Sequence, residues 1–334
     1  MHLKKYIFIT IYSVLLYNRG EIKDFVYFVL QKKGGINMAS SFDIKGSMVA
    51  LITPFNEDKS INFDKLEELL EFHIANKTDC VLILGTTSES PTFTWEEDYE
   101  IVKRSVEVCK GRMPLMANAG SNDTRTSFEK AKRFADAGVD ALLCISPYYN
   151  KANKTGLYHL IADVADSVDI PVVVYNIPGR TGINIPIDVM TELAKKPNIA
   201  GVKEATGDMS YVAKLAKATR DMDFNIWSGN DDITIPMMAL GGAGCISVWA
   251  NLQPDKTVEM THAFLNGDTQ HAIDMQLEYM TLINDFFIEV NPIPIKEAMN
   301  MAGMGVGGFR MPLCPMSDEN REVLRAEMQK LGII

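Results

Sequence analysis

Short apolar runs rich in β-branched residues alternate along the chain with longer segments in which polar and apolar residues are mixed. Eight such runs are present, at residues 49–55, 80–87, 114–120, 141–149, 171–178, 199–206, 224–231 and 244–251. A strand that is buried on both faces is apolar throughout, whereas a strand with one wet face alternates. The runs therefore predict the strands of a parallel sheet that is covered on both sides.

The segments between the runs have the pattern of amphipathic helices. In residues 63–77, 95–110 and 127–139, apolar side chains recur at spacings of three and four, which places them on one helix face. Strands alternating with such helices are typical of βαβ units. Eight units predict an α/β fold of the closed (β/α)8 type, a TIM barrel.

The barrel pattern ends before the C-terminus. We expect the barrel to span residues 38–265, because only helical patterns follow it. Residues 266–334, interrupted by Asn291-Pro292-Ile293-Pro294, predict a C-terminal helical subdomain.

The alternative fold, a doubly wound open sheet, normally carries a GxGxxG turn after its first strand, and residues 56–59 contain no glycine. The glycine-rich residues 240–244 precede the eighth run and are interpreted as a tightly packed turn at the inert end of the barrel.

The first 37 residues differ from the rest. Two lysines and an apolar run at residues 6–17 resemble a signal peptide, but the run is too short for a membrane helix and no small-residue cleavage site follows it. Residues 32–37 can be encoded by a purine-rich bacterial ribosome-binding site placed before Met38. We therefore expect residues 1–37 to be a translated leader or a misassigned start, with Met38 as the native start. A targeting segment or a structured extension are the alternatives.

Composition and charge narrow the class of function. The 334 residues are 47% hydrophobic and 23% charged, with a net charge of −10, as in ordinary globular proteins. An acidic chain without a cluster of basic residues lacks the electrostatic signature of a nucleic-acid binder. The five cysteines form no CxxC pair and are interpreted as thiols of a reducing cytoplasm, neither disulfides nor zinc ligands: Cys80, Cys109, Cys144, Cys245 and Cys314.

Candidate chemistry lies where strands end, because barrel active sites form at the C-terminal ends of the strands. Lys203 stands inside the apolar run IAGVKEA. A lysine that points into a barrel loses hydration, which disfavours its ammonium form, and a neutral amine is a nucleophile for carbonyl groups. A lysine paired with a buried carboxylate such as Glu204 is the alternative. Tyr175 ends the preceding run and can relay protons, and Thr86 with Thr87 can hold a small carboxylate.

The histidines argue against two other classes of enzyme. They fall in the leader or in helical segments, and none ends a predicted strand: His2, His73, His159, His262 and His271. A metal-dependent aldolase with clustered histidine ligands and a Ser-His-Asp hydrolase are both disfavoured. We therefore predict no metal site.

Several motifs together resemble one family. GTTSES, SPYYN, YNIPGRTG, GVKEATG, NPIPIKEAMN and RMPLCPM occur in the order and spacing of the dihydrodipicolinate synthase family, within the pyruvate-dependent Schiff-base aldolases of the N-acetylneuraminate lyase superfamily. The resemblance covers roughly residues 42–334. It implies condensation of pyruvate with L-aspartate 4-semialdehyde in diaminopimelate and lysine biosynthesis, without metal, nucleotide or flavin cofactors. It also implies a cytoplasmic homotetramer, a dimer of dimers, that binds neither nucleic acid nor membrane.

The resemblance also assigns the chemistry. It implies that Lys203 forms an imine with pyruvate and that Tyr175, Thr86 and Tyr149 form a proton relay, with Tyr149 reaching into the site of the neighbouring subunit. Thr87 is expected to hold the pyruvate carboxylate.

The resemblance also implies which residues line the pocket and which one binds the second substrate. Gly229 and Ile246 are expected to line it, and the planar guanidinium of Arg180 suits the carboxylate of aspartate semialdehyde. The family's sialic-acid and sugar-acid lyases usually lack this arginine, which favours the synthase. A related aldolase, acting on N-acetylneuraminate or a 2-keto-3-deoxy sugar acid, is one alternative. A non-catalytic barrel that binds a keto acid is the other.

One departure from the family concerns the substrate loop. Ser88 stands where the family usually has glycine. If that position requires a positive φ or a close backbone approach, serine adds strain of about 1 kcal/mol and weakens pyruvate binding.

A second departure concerns feedback by lysine. Feedback-inhibited members hold lysine at the dimer interface, and this chain keeps candidates for some of those contacts in Ser90, Asn122 and Tyr148. Trp95 and Asp98 stand where histidines are expected, and Thr126 replaces a glutamate. We therefore expect feedback by lysine to be weak or absent.

Overall fold

Eight parallel strands close into a barrel in the computed structural model, which describes residues 42–334. The strands are β1 Gly46–Ala50, β2 Cys80–Ile83, β3 Leu115–Asn118, β4 Ala141–Ile145, β5 Val172–Asn176, β6 Ile199–Glu204, β7 Asn225–Ser228 and β8 Gly244–Ser247. Each strand pairs with the next, and β8 closes the barrel on β1. The (β/α)8 barrel predicted from the alternating pattern is confirmed.

Helices cover the outside of the barrel, and several of them are capped at their N-termini by side chains. They are α1 Phe63–Ala75, α2 Trp95–Cys109, α3 Thr124–Ala137, α4 Lys154–Asp166, α5 Pro178–Thr181, α6 Ile187–Leu193, α7 Met209–Thr219, α8 Thr234–Ala239 and α9 Pro254–Leu265. Thr94 opens α2 with a reciprocal capping box to Glu97, and Asp123 caps α3 through the amide of Thr126. Such caps satisfy amide groups that have no partner within the helix.

Every predicted run overlaps a strand, but all eight runs were predicted too long at their C-terminal ends. The first run was predicted at 49–55, whereas β1 begins at Gly46 and ends at Ala50. Leu51 and Ile52 are almost fully buried although they lie beyond the strand. Loop residues buried at the top of the barrel therefore continue the apolar pattern after the ladder of hydrogen bonds has ended.

The glycine-rich stretch before β8 packs tightly, as predicted. Gly244 has φ +146°, and a β-carbon there would overlap the carbonyl oxygen of Gly46 on the neighbouring strand. Only glycine permits this approach at the bottom of the barrel.

The segment after the barrel is helical, as expected. It contains α10 Thr269–Glu278, α11 Met280–Asp285, α12 Ile293–Met301 and α13 Asp318–Lys330. These helices belong to the same compact unit as the barrel, Phe42–Ile334. No helix within 42–334 is long and apolar enough to cross a membrane. The expected leader, residues 1–37, lies outside the described residues.

Candidate active site

Lys203 and Tyr175 lie side by side on adjacent strands inside the barrel. They are direct partners in the ladder between β5 and β6, and the Nζ atom of Lys203 is 4.6 Å from the centre of the Tyr175 ring. Lys203 is 5% exposed and Tyr175 is 6% exposed. An amine and a phenol are thus held next to each other away from bulk water.

Burial sets the protonation of the lysine. It lowers the pKa of Lys203 from its ordinary 10.5 to about 8, against the opposing effect of the nearby Asp231 carboxylate. The cationic Arg180 lowers this pKa further. At pH 7 about 10% of the side chain is therefore the neutral, nucleophilic amine, far more than for a lysine of ordinary pKa.

The alternative pairing of Lys203 with Glu204 is absent from the structure. The Glu204 carboxylate instead accepts hydrogen bonds from Asn176 Nδ2 at 2.8 Å and from the amide of Thr206 at 2.7 Å. Within residues 42–334, no carboxylate oxygen lies within 4.0 Å of Lys203 Nζ. The lysine is therefore free to react.

Tyr175 is a neutral phenol over the physiological range. Burial raises its pKa to about 12, while the Arg180 cation and the nearby Thr86 hydroxyl lower it. A phenol beside a hydroxyl group can pass a proton without ionising permanently. The structure thus brings together two members of the predicted relay, Tyr175 and Thr86.

The loop after β2 is built from two short 3-10 turns, Thr86–Ser88 and Ser90–Thr92. Thr87 is 3% exposed, and its Oγ1 accepts a hydrogen bond from Asn291 Nδ2 at 3.0 Å. The C-terminal segment therefore holds the residue that was predicted to bind a carboxylate.

Ser88 does not occupy a left-handed position. The left-handed residues of this region are Leu84, with φ +57°, and Glu89, with φ +61°. The Ser88 hydroxyl is buried and donates to the carbonyl oxygen of Leu51 at 2.6 Å. A positive φ, one of the two conditions under which strain was expected at Ser88, is therefore absent, and the serine ties this loop to the loop after β1.

Arg180 lies on the short helix α5 after β5. Its NH2 group donates to the carbonyl oxygen of Asn291 at 3.1 Å. Together with Thr86 and Tyr148, it lines a cavity of about 270 Å³ at the top of the barrel. The guanidinium is thus tied to the C-terminal segment and faces an open cleft.

Gly229 directly follows β7 and lies against the lysine, and Ile246 lies on β8. A β-carbon on Gly229 would lie 2.8 Å from Ala205 Cβ and 3.2 Å from Lys203 Cε, so a side chain there would overlap Ala205 and crowd the lysine. Ile246 is fully buried in the interior cluster that contains Tyr175. That both line the substrate pocket stays a prediction.

Tyr149 is the predicted site residue that the structure does not bring to the cluster. It is 91% exposed and has φ +68°. Its loop is fixed by a 2.8 Å hydrogen bond from Asn150 Nδ2 to the carbonyl oxygen of Asn122. Within one chain the phenol therefore points into solvent.

Sequence reasoning missed two residues that shape the cluster. Asn291 contacts both Thr87 and Arg180. Asp231 is buried, and its Oδ2 accepts from the amides of Val248 at 2.9 Å and Trp249 at 3.1 Å. The available signals were the asparagine that opens NPIPIKEAMN and an aspartate two positions after Gly229.

Comparison with known proteins gives one consistent result. The model of the dihydrodipicolinate synthetase family matches residues 43–331. The 4-hydroxy-tetrahydrodipicolinate synthase of Thermoanaerobacter sp. (strain X514) is 49% identical over 291 residues, covering 87% of this chain and 97% of the relative.

Solved structures of dihydrodipicolinate synthases are also similar to this chain. The crystal structure of dihydrodipicolinate synthase from Aquifex aeolicus is 41% identical, with a TM-score of 0.84 over 86% of this chain and 98% of that one. The chloride-inhibited enzyme from Acinetobacter baumannii, complexed with pyruvate, is 38% identical, with a TM-score of 0.85 over 87% of this chain and 100% of that one.

Proposed function

The chain belongs to the dihydrodipicolinate synthetase family, and we propose that it condenses pyruvate with L-aspartate 4-semialdehyde through an imine on Lys203. The product is 4-hydroxy-tetrahydrodipicolinate, a precursor of diaminopimelate and lysine. The observation that carries the assignment of Lys203 is its burial beside Tyr175, with a pKa lowered to about 8.

The first steps use the amine and the phenol. The neutral Lys203 amine attacks the keto carbon of pyruvate, and the oxygen leaves as water after protonation through Tyr175 and Thr86. Loss of a proton from the methyl carbon of the imine gives an enamine. Thr87 and the amides of its loop hold the pyruvate carboxylate during these steps.

The second substrate is then joined and the enzyme is released. The enamine carbon attacks the aldehyde carbon of aspartate semialdehyde, and the aldehyde oxygen takes up a proton to become a hydroxyl group. The amino group of the new adduct attacks the imine carbon, which closes a six-membered ring and frees Lys203. Arg180 binds the carboxylate of aspartate semialdehyde, and Gly229 and Ile246 shape the wall that faces the lysine.

A comparison of acceptors tests this function. We expect turnover with aspartate semialdehyde and pyruvate, and none with N-acetylneuraminate or 2-keto-3-deoxy sugar acids. Arg180→Ala should weaken the use of aspartate semialdehyde far more than imine formation with pyruvate. If the use of aspartate semialdehyde and imine formation with pyruvate fall equally, Arg180 supports the fold and does not bind the acceptor.

The quaternary structure and the location of the protein belong to the same proposal. We propose a cytoplasmic homotetramer, built as a dimer of dimers, in which Tyr149 of each chain completes the relay of its neighbour. Two observations support it: Tyr149 is 91% exposed on a fixed loop, and all five cysteines are free thiols, as a reducing compartment requires. Light scattering at assay concentration should give about four times the chain mass of 37.2 kDa.

A further inference from the structure

A second lysine is fully buried outside the reacting cluster. Lys296 lies on α12 with a side-chain exposure of 0%. Its Nζ donates to three oxygens: the Thr53 carbonyl at 3.0 Å, Glu89 Oε1 at 2.9 Å and the carbonyl of Gly308. All three ammonium protons are therefore used, and they join three separate segments of the chain.

Its partner is built into the loop after β2. Glu89 is the left-handed residue between the turns that hold Thr86–Ser88 and Ser90–Thr92. Its side-chain exposure is also 0%. Its second oxygen, Oε2, accepts from the amide of Arg310 at 3.0 Å. Both carboxylate oxygens are thus bonded to the C-terminal segment.

Aromatic rings exclude water from this ion pair. The Lys296 ammonium lies 4.2 Å from the centre of the Phe55 ring and 5.2 Å from that of Phe309. Charged groups in such a site hold one another strongly, and the loss of one partner leaves the other unpaired and destabilised. Such a pair is weak evidence for stability, because uncharged residues of the same shape can often replace both partners without loss. Stability alone therefore does not explain this ion pair, and we infer its role from its position beside the loop after β2.

We propose that Lys296 and Glu89 are positioning residues for the pyruvate-binding loop. Glu89 lies two residues after Thr87, and a residue held at positive φ relies on its surroundings to keep that conformation. By fixing Glu89, Lys296 orients the Thr86 hydroxyl toward Tyr175 and the loop amides toward the carboxylate of pyruvate. This inference rests on the proposed function of that loop.

Three variants separate positioning from simple stabilisation. Lys296→Met and Glu89→Gln each leave one buried partner uncompensated, and the double variant removes both charges. We expect each single variant to lower the melting temperature by roughly 10 °C and the double variant to regain at least half of that loss. The pyruvate concentration for half-maximal imine trapping should rise about tenfold in all three, including the double variant. The KM for aspartate semialdehyde should change less than twofold.

The neighbouring residue provides a matched control. Glu297 lies on the same helix, and its Oε1 pairs with Arg321 on α13 at 3.4 Å, away from the loop. Glu297→Gln also removes one ion pair of α12, but it should leave half-saturation by pyruvate within twofold of the parent. If Lys296→Met does not fold, Glu89→Gln, which keeps the shape of the side chain, supplies the same comparison.

The outcomes distinguish this inference from the function on which it rests. A double variant that regains thermal stability and binds pyruvate like the parent overturns the positioning role and leaves the proposed function intact. A parent protein that traps no pyruvate on Lys203 overturns the proposed function, whatever the variants do.

Discussion

Lys203 Nζ and the ring of Tyr175 are 4.6 Å apart because the two residues are register partners on adjacent parallel strands. Neighbouring strands are spaced at about 4.8 Å, so the ladder itself places the amine against the phenol. Rigid strands hold this pair more accurately than loops could. The Lys203–Tyr175 pair is therefore a product of the barrel, whereas Thr86, Thr87 and Arg180 lie on the segments that follow the strands.

The rate of imine formation should follow the titration of Lys203. With a pKa of about 8, only about 10% of the amine is neutral at pH 7, and about 1% at pH 6. We expect the rate at limiting pyruvate to rise nearly tenfold per pH unit up to pH 7 and to level off near pH 8. Rapid-quench trapping with borohydride measures it. A rate that keeps rising to pH 10 would indicate a lysine of ordinary pKa.

Lys203 should destabilise the folded protein. Below pH 8 the lysine is protonated in both the folded and unfolded chains, so the full cost of burying the ammonium, about 3 kcal/mol, is present. Between pH 8 and 10.5 the folded chain releases its proton first, and the cost disappears. Lys203→Met should therefore be more stable than the parent by up to about 3 kcal/mol at pH 7, with a gap that closes as the pH approaches 10.5.

Urea unfolding at pH 7 and pH 10 measures this gap. Lys296, whose pKa burial also lowers to about 8, is present in both proteins, so its own titration cancels in the difference. A gap of the same size at both pH values would show that the methionine acts through packing alone.

Mixing two inactive variants should restore activity if Tyr149 serves the neighbouring subunit. Lys203→Ala lacks the nucleophile, and Tyr149→Phe lacks the exposed phenol. In a mixed dimer, the site that keeps Lys203 receives an intact Tyr149 from the other chain. We expect coexpression to give mixed oligomers with activity well above either variant alone. Mixed oligomers that are no more active than Lys203→Ala or Tyr149→Phe alone would place Tyr149 in the site of its own chain.

Lysine should not inhibit this protein at concentrations below about 1 mM, which corresponds to roughly −4 kcal/mol of binding. Two of the positions expected to contact a free lysine already contact one from the chain: Lys130 Nζ lies 2.6 Å from Asp98 Oδ2 and 5.7 Å from the centre of the Trp95 ring. An inhibition curve measured at saturating pyruvate tests this. Half-inhibition below 1 mM would mean that other residues form the site.

The barrel and the adjacency of Lys203 and Tyr175 could be predicted because their signals are local. A lysine inside an apolar run and a tyrosine at the end of the preceding run are each visible within a few residues of sequence. Strand ends were less predictable, because buried loop residues such as Leu51 extend the apolar pattern past β1.

The supporting contacts could not be predicted from local pattern. Asn291 reaches Thr87 across 204 positions of the chain, and Lys296 reaches Glu89 across 207. Each partner alone resembles an ordinary polar residue of a loop or helix. Only the folded barrel brings the C-terminal segment over the loop after β2.

Trapping of the imine tests the central claim most directly. The parent protein and Lys203→Ala are incubated with pyruvate and borohydride, digested, and analysed by peptide mass spectrometry. We predict a reduced pyruvate adduct on Lys203 in the parent and none in the variant, with both proteins showing the same circular dichroism spectrum. An adduct that persists in a folded Lys203→Ala protein, or its absence from the parent under conditions that label a known Schiff-base aldolase, would contradict the account.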